Sequence, residues 1–407
     1  MQASGRPCAA PGHAGHTIHA VNDLQDSAAV GADADPFWMR RALAQARQVM
    51  FSTRPNPRVG CVVVRDGQLL GEGGTQPPGG PHAEIVALRD AAARGHDVAG
   101  ATAYVTLEPC SHFGRTPPCV DALIAARLGR VVVAMGDPNP QVNGRGLRLL
   151  REAGIAVSVG VCLDEALELN AGFVARMSRG TPWTWLKLAA SLDGRSALHN
   201  GVSKWITGAA ARADGHHWRA RSCVVLSGIG TVLADDPLLD VRALATAHPP
   251  RRAIIDSRLR LPETARLIDG NPILLFAAQA ERDKVARLAD RNVQVVLLPQ
   301  AGGARVDLPA VMQWLAADGV NEVHVEAGAT LSGALLADGC VDELLVYSAP
   351  LLMGDAAGMV DLPALQSLEQ APRFAYTDVQ RVGDDLRLRA HVVARWQALR
   401  QRVELLA

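Results

Sequence analysis

His82-Ala83-Glu84, followed by Pro109-Cys110 and then by Cys119, is the stretch of sequence that decides the fold. One imidazole and two thiolates are typical zinc ligands. Catalytic zinc sites use three protein ligands and leave a fourth position for a water, whose pKa the metal lowers to about 7. Glu84 is not needed as a ligand and stands two residues after His82, where it can move protons. The order of these residues matches the zinc-deaminase signature, which predicts hydrolytic removal of an amino group from a nitrogen heterocycle.

The spacing of the two cysteines departs from the general deaminase signature. That signature has two residues between the cysteines, whereas eight residues, 111–118, separate Cys110 from Cys119 here. The inserted segment is rich in residues that favour turns, so it is able to leave and return as a loop.

Two simpler interpretations of the same residues remain open. In the first interpretation, the two cysteines Cys110 and Cys119 are ordinary buried thiols, and His82 is a histidine of the core. In the second interpretation the zinc ion is structural, but the sequence offers no obvious fourth ligand, although His112 is a possible one. The carboxylate of Glu84 argues against a purely structural site, because such a site does not need it.

Length, charge and cysteine content set broader limits. A chain of 407 residues suits two domains, and equal numbers of acidic and basic residues (41 each) give no basic footprint for nucleic acid. The seven cysteines are scattered and odd in number, which favours a reducing, cytoplasmic setting over a disulfide framework. No apolar run approaches the roughly 20 residues of a membrane span.

The pattern of apolar residues divides the chain into a tail and two domains. Residues 1–35 have no hydrophobic periodicity and are expected to form a disordered tail, whose His13, His16 and His19 are able to bind metal adventitiously. Strands alternate with helices over 36–178, which predicts an α/β domain with a largely parallel sheet and the zinc ligands at one sheet edge. A second strand–helix series begins after Ser178–Pro182 and covers 183–397.

Local signals place several elements. Asp66-Gly67 between two apolar runs predicts a hairpin turn, and Thr207 is predicted to cap a helix over 208–220.

Two glycine-containing turns in the second half resemble phosphate sites. Residues 326–333 follow a predicted strand and open a helix, and Gly228-Ile229-Gly230-Thr231 follows another strand. A helix N-terminus with free N–H groups suits a phosphate, but these glycines equally suit simple tight turns. Arg258 is either a partner for a ribose 2′-phosphate or a solvated surface arginine.

Longer stretches of the sequence closely resemble one family over residues 36–395. The matching segments share their order and residue types, and they are Asn56–Cys61, His82–Glu84, Thr106–Cys119, Asp137–Pro140, Lys187–Arg195, Trp205–Thr207, Gly230–Pro237 and Val325–Gly328. The family is that of the bifunctional riboflavin-biosynthesis deaminase/reductases, in which the eight-residue gap between cysteines is normal. The 35-residue leader, Cys223 in place of an acidic residue and Ser227 in place of valine depart from its pattern.

The resemblance implies a cytidine-deaminase-like three-layer α/β/α domain followed by a dihydrofolate-reductase-like α/β domain. The first domain would deaminate 2,5-diamino-6-ribosylamino-4(3H)-pyrimidinone 5′-phosphate. The second would use NADPH to reduce the ribosyl group of the product to ribityl. The partner is therefore a small-molecule ribotide rather than nucleic acid or membrane, and we expect a homo-oligomer because small sheet domains often pair.

The resemblance also assigns site residues by position. His82, Cys110 and Cys119 would bind Zn²⁺, and Glu84 would be the catalytic proton shuttle. The NADPH site would be lined by Ala189, Trp205, Thr231, Asp235, Ser257, Gly328, Ala329, Thr330, Leu331, Ser332, Gly333 and Ala334. The reductase substrate would contact Ser203, Arg219, Leu239, Arg242 and Glu326. Arg219 and Arg242 make chemical sense as phosphate clamps, because guanidinium groups pair well with phosphate oxygens.

Three rival hypotheses predict different measurements. A nucleoside or RNA deaminase with an unrelated appended domain would bind RNA or nucleosides. A non-enzymatic, zinc-stabilised nucleotide-binding protein would contain zinc but release no ammonia. A chain with one degenerate half would show only one of the two activities.

Overall fold

A computed structural model of the protein describes residues 34–113 and 117–406. The predicted tail therefore lies outside the described residues except for its last two, and so do His13, His16 and His19. The described part begins with a helix that packs on the first sheet.

The first half alternates helices and strands. Its elements, in chain order, are α1 (Asp35–Gln48), β1 (Gly60–Arg65), β2 (Gln68–Gly74), α2 (Ala83–Ala93), β3 (Thr102–Val105), α3 (Cys119–Ala125), β4 (Arg130–Val133), α4 (Arg145–Glu152), β5 (Ala156–Val159) and α5 (Leu163–Arg179).

The sheet of the first half is mixed, with the strand order β2-β1-β3-β4-β5, so the prediction of a largely parallel sheet is wrong here. β1 pairs antiparallel with β2 and β3, while β3, β4 and β5 run parallel. Asp66 and Gly67 both have positive φ, 55° and 75°, as a tight hairpin requires, so the predicted turn is confirmed. Every residue of β1 except its last is buried, because helices cover the sheet.

The second half has more elements than the sequence predicted. They are β6 (Trp183–Ser191), β7 (Arg195–Ala197), α6 (Ala209–Arg221), β8 (Val224–Gly228), α7 (Ile229–Asp235), β9 (Arg251–Ile255), β10 (Ile273–Ala277), α8 (Arg282–Ala289), β11 (Val293–Leu297), α9 (Leu308–Ala317), β12 (Glu322–Val325), α10 (Ala329–Ala337), β13 (Glu343–Ala349), β14 (Ala357–Gly358), β15 (Ala375–Val382), β16 (Asp385–His391) and α11 (Val393–Glu404).

Nine strands of the second half form one sheet, in the order β11-β10-β9-β8-β12-β6-β13-β16-β15. The seven strands from β11 to β13 run parallel, and β16 and β15 close the edge as antiparallel strands. Because parallel strands end at the same edge, the segments after β8, β9 and β12 lie together, which is where parallel sheets bind ligands.

One local prediction for this half is wrong. Thr207 does not cap α6: the capping position is Gly208, with no side-chain cap, and the Gly208 N–H donates to Asp385 Oδ2 at 2.8 Å. A residue distant in sequence therefore satisfies the N–H of the capping residue.

The two halves are joined by a buried ion pair and by the C-terminal helix. Arg58 donates to both carboxylate oxygens of Glu322, at 2.6 and 2.7 Å, and to the carbonyl oxygens of Leu169 and Arg221. α11 packs back on α5. None of the described helices has the length and apolar character that crossing a bilayer requires.

Candidate active sites

The three predicted zinc ligands converge on one point. His82 Nδ1 lies 3.5 Å from Cys110 Sγ and 3.3 Å from Cys119 Sγ. All three ligand atoms lie within 4.8 Å of one another, and the described residues hold no other such cluster. His112 lines the same cavity but is not one of the three groups. The donor set suits zinc and leaves one coordination position open.

Local structure brings these residues together. His82 is the residue immediately before α2, Cys119 is the first residue of α3, and Cys110 follows β3. The backbone N–H of Cys119 donates to Cys110 Sγ at 3.3 Å. Hydrogen bonds from Cys119 and His82 lower the pKa of the Cys110 thiol, which therefore favours the thiolate that a metal binds.

Glu84 lies beside this cluster in the first turn of α2 and is only 3% exposed. Burial, reinforced by the negative charge of Cys110, raises the pKa of Glu84 to about 7. A carboxyl group whose pKa lies near neutrality exchanges protons readily in either direction, as a general acid–base requires.

A cavity of about 410 Å³ opens onto the cluster, a volume suited to a small ligand. Asn56, Asp137 and Asn139 contribute polar groups to its wall. Glu108 organises this wall, because its carboxylate accepts from the backbone N–H groups of Asp137, Gly144, Gly146 and Leu147 at 2.8–3.4 Å.

A second, larger cavity of about 1120 Å³ lies at the strand ends of the reductase-like sheet. Most of the residues predicted to bind the cofactor line it: Thr231, Ser257, Gly328, Ala329, Thr330, Leu331, Gly333 and Ala334. Gly228 and Gly328 occupy the capping positions of α7 and α10, so both glycine-containing turns open helices. The helix after Gly328 was predicted from the sequence. The backbone oxygen of Asp361 would lie 1.9 Å from a Cβ at Gly333, so only glycine allows this approach.

Four predicted cofactor residues do not line this cavity. Ala189 is on β6, Ser332 is buried and donates to the Ala327 carbonyl, Asp235 pairs with Lys204 at 2.8 Å, and Trp205 is exposed. The Arg212 guanidinium covers the Trp205 ring at 4.6 Å from its centroid. None of the four is among the residues that line the cavity.

The predicted substrate contacts Arg219 and Glu326 are already partners of each other. Arg219 donates to both Glu326 oxygens at 2.5 and 2.7 Å, and to the Asp240 carbonyl at 2.8 Å. Burial would raise the pKa of Glu326, but the charge of Arg219 and hydrogen bonds with Arg219 and His324 lower it well below its usual range. His324 Nε2 lies 3.1 Å from Glu326 Oε1.

The other three predicted substrate contacts differ in exposure. Arg242 is exposed and donates to Asp240, Leu239 is buried with φ +51°, and Ser203 is half-buried. Arg242 is paired with Asp240, which is two residues away, whereas Arg219 is paired with the distant Glu326.

Several residues at the two sites were not singled out from the sequence. Glu108 and Asp137 lie within the matching segments, which is the signal that could have identified them. Arg176, which lines the first cavity, is one of several charged residues of α5, and His324 alternates with valines in β12, so no pattern distinguishes either residue.

Two family models match the chain. The cytidine and deoxycytidylate deaminase zinc-binding region matches residues 33–135, and the RibD C-terminal domain matches residues 182–388. The first match contains the metal-ligand cluster, and the second contains the larger cavity.

Curated relatives match nearly their whole length. The riboflavin biosynthesis protein RibD of Escherichia coli (strain K12) is 48% identical over 365 residues, covering 86% of this chain and 98% of the relative. The protein of the same name from Haemophilus influenzae is 44% identical, covering 87% and 96%.

Solved structures give the same result. Acinetobacter baumannii RibD, form 1, has a TM-score of 0.80 at 44% identity, covering 88% of this chain and 99% of that one. A Thermotoga maritima protein described as a diaminohydroxyphosphoribosylaminopyrimidine deaminase/5-amino-6-(5-phosphoribosylamino)uracil reductase has a TM-score of 0.79 at 31% identity, with the same coverage.

Proposed function

The chain belongs to the RibD family of bifunctional riboflavin-biosynthesis deaminase/reductases, and from this premise we propose the substrate and the residues that act at each site. The protein is a zinc-dependent deaminase fused to a reductase that uses a nicotinamide cofactor. We propose that it deaminates 2,5-diamino-6-ribosylamino-4(3H)-pyrimidinone 5′-phosphate and then reduces the ribosyl group of the product. The family match leaves no support for an RNA deaminase or a non-enzymatic protein.

The observation on which the deaminase assignment rests is the cluster of His82, Cys110 and Cys119 beside buried Glu84. These three side chains would hold zinc, which when bound lowers the pKa of a coordinated water. Glu84 takes a proton from the attacking water and delivers it to the ring nitrogen as the C–O bond forms. It then takes the second proton from the new hydroxyl group and delivers it to the amine, which leaves as ammonia when the C–N bond breaks. Proton transfer of this kind contributes about 10²–10⁴ in rate.

For the reductase we propose NADPH rather than NADH. Arg258, Arg260 and Arg305 line the larger cavity, and arginine suits the additional 2′-phosphate of NADPH. The predicted contacts that line this cavity would bind the cofactor, and Ala189, Trp205, Asp235 and Ser332 would complete its surroundings. The cofactor supplies the hydride, and the protein supplies orientation.

We propose that Arg219 binds the phosphate of the reductase substrate, but with fewer N–H donors than an unpaired arginine would offer. A guanidinium has five N–H donors, and Glu326 and Asp240 occupy three of them, so two remain for a phosphate. Ser203, Leu239 and Arg242 would complete the substrate contacts.

We further propose deaminase and reductase domains over 36–178 and 183–397, a cytoplasmic location and a homo-oligomer. The six cysteines in the described part of the chain are free thiols. A reducing compartment keeps thiols reduced, and Cys110 and Cys119 need this to bind zinc.

The proposal is tested by following ammonia release and NADPH oxidation separately, with the purified chain and the pyrimidine ribotide. We expect ammonia release without NADPH, and NADPH oxidation only after deamination or on addition of the deaminated ribotide. Absence of ammonia release from zinc-loaded protein would contradict the deaminase assignment, and faster reduction with NADH would contradict the cofactor assignment.

A further inference from the structure

The described lining of the deaminase cavity includes three acidic side chains and one arginine. Glu84, Glu108 and Asp137 line it, and Arg176 is the only lysine or arginine among its described lining residues. A ribotide brings a phosphate with a charge of about −1.5 to −2 into this space, by analogy with other phosphate monoesters. Burial of that charge requires a cation or several hydrogen-bond donors.

Most N–H donors of the Arg176 guanidinium make no hydrogen bond to a described residue. Its Nε donates to Asn321 Oδ1 at 2.6 Å, and no other hydrogen bond to a described residue involves its guanidinium. Four of the five N–H donors of an arginine lie on the two Nη atoms, so these remain for a ligand. Two Nη groups match two phosphate oxygens in a bidentate pair.

Asn321, which holds Arg176, belongs to the reductase half. It immediately precedes β12, and its backbone carbonyl accepts from the Trp183 N–H at 2.9 Å. Its Nδ2 donates to the carbonyl of Pro55, another residue that lines the deaminase cavity, at 2.8 Å. One buried amide of the reductase half therefore holds two parts of the deaminase wall.

The helix that carries Arg176 approaches Asn321 closely because of a glycine. Gly172 lies one turn before Arg176 on α5, hence on the same face. A Cβ at position 172 would lie 2.5 Å from the Asn321 carbonyl oxygen and 2.4 Å from Glu322 Cγ. The absence of a side chain at Gly172 lets α5 contact the start of β12, which brings the Arg176 guanidinium within reach of Asn321.

We propose that Arg176 binds the substrate phosphate in the deaminase cavity and that Asn321, from the reductase half, positions it for this task. The inference rests on the proposed ribotide substrate. It gives the fusion of the two domains a physical consequence, because the deaminase then depends on a reductase residue for its affinity toward phosphorylated substrates.

The test compares ammonia release from the ribotide with release from the same ribosylaminopyrimidine lacking its phosphate. Arg176→Gln removes the charge, and we expect it to raise KM for the ribotide on the order of 10- to 100-fold, the usual effect of a charged hydrogen-bond partner. KM for the unphosphorylated compound and kcat for both compounds should change little. Arg176→Lys, which keeps the charge, should recover part of the loss.

Asn321→Ala tests the positioning role. It should raise KM for the ribotide less than Arg176→Gln does, again without an equal change for the unphosphorylated compound. A merely structural role would change both substrates alike. Arg151→Gln, which removes an exposed arginine of α4 outside the cavity, is the matched control and should leave the ratio of the two KM values unchanged.

Ribose 5-phosphate gives a second readout. It should compete with the ribotide in the wild-type deaminase and in Arg151→Gln, but much less in Arg176→Gln. If Arg176→Gln changes neither KM nor this competition, or changes both substrates equally, the inference is wrong although the proposed function stands. If the wild type releases ammonia from the unphosphorylated compound but not from the ribotide, the proposed substrate itself is wrong.

Discussion

Arg219 and Glu326 form a bidentate ion pair that joins α6 to the segment between β12 and α10 in the reductase half. Their side chains are only 15% and 17% exposed, so the pair is shielded from most of the solvent. The arginine was predicted as a phosphate clamp and the glutamate as a substrate contact. Their pairing means that neither is available without affecting the other.

Arg219→Ala should therefore impair reduction through two effects. We expect kcat/KM for NADPH oxidation with the deaminated ribotide to fall on the order of 10- to 100-fold, because a charged hydrogen-bond donor is lost. Burial then raises the pKa of Glu326, which Arg219 had kept low, so the acid limb of the reductase pH profile should move to higher pH. Ammonia release should stay at the wild-type rate. Unchanged reduction would show that Arg219 contacts no substrate.

Glu84→Gln should abolish deamination while the metal stays bound. Glutamine retains the size of the side chain but cannot accept and return a proton, so the rate of ammonia release should fall by about 10²–10⁴. Zinc content, measured by elemental analysis, should match the wild type because Glu84 is not one of the clustered ligands. Reduction of added deaminated ribotide should persist. A variant that still turns over at the wild-type rate would remove Glu84 from the mechanism.

Removal of zinc should separate the two activities. Chelation should stop ammonia release, because the three clustered ligands lie in the deaminase cavity, and added zinc should restore it. NADPH oxidation with the deaminated ribotide should continue, since the reductase cavity is lined by different residues. Loss of both activities together, with unchanged folding by circular dichroism, would contradict the assignment of the metal to the deaminase alone.

The metal cluster could be predicted from sequence because each ligand belongs to a short local pattern. His82 begins a helix, Cys110 follows a strand, and Cys119 begins the next helix. The order of these elements in the mixed sheet brings them to one edge. The sequence also predicted the hairpin at Asp66-Gly67, whose turn chemistry is local.

What the sequence did not predict depends on contacts between distant residues. The cap predicted at Thr207 is wrong because the capping position of α6 is Gly208, whose N–H donates to the distant Asp385. Arg176 did not stand out because its environment includes Asn321, 145 residues away. The helices α8, α9 and α11 and strand β15 were not predicted either, although Asp307 and Pro309 at the start of α9 are a local signal for a helix N-terminus.

Glu343 should make stability depend on acid pH. This glutamate is 2% exposed on its side chain and accepts hydrogen bonds from Trp183, Trp185 and Arg389. Burial would raise its pKa, but contact with the His391 ring and the charge of Arg389 overcome burial and lower the pKa to about 2. A depressed carboxyl pKa gives stability that is present above the unfolded value, roughly 4.3, and lost as pH falls toward 2.

The corresponding variant is Glu343→Gln. Its free energy of unfolding should lie below that of the wild type at pH 6, and the difference should shrink by about 3 kcal/mol as pH falls from 5 to 2. Urea unfolding at several pH values measures this. Glu281→Gln, at an exposed residue before α8, is the control and should show no such convergence. A constant difference across this range would mean that Glu343 is not the titrating group.

Gly172→Ala should weaken the junction between the two halves, although alanine is ordinarily the better helix former. The added Cβ would lie 2.4 Å from Glu322 Cγ and 2.5 Å from the Asn321 carbonyl oxygen. The carbonyl oxygen belongs to the backbone, which cannot move aside as the end of a flexible side chain can. Overpacking of this kind costs roughly 1–3 kcal/mol. Gly215→Ala in α6 is the matched control, because a Cβ there meets nothing within 4 Å and the substitution should be neutral or stabilising by up to about 1 kcal/mol. Thermal unfolding compares the two variants.

Because α5 also carries Arg176, Gly172→Ala should in addition raise KM for the ribotide in deamination. If both variants are equally stable and equally active, then the close approach of α5 to Asn321 has no energetic consequence.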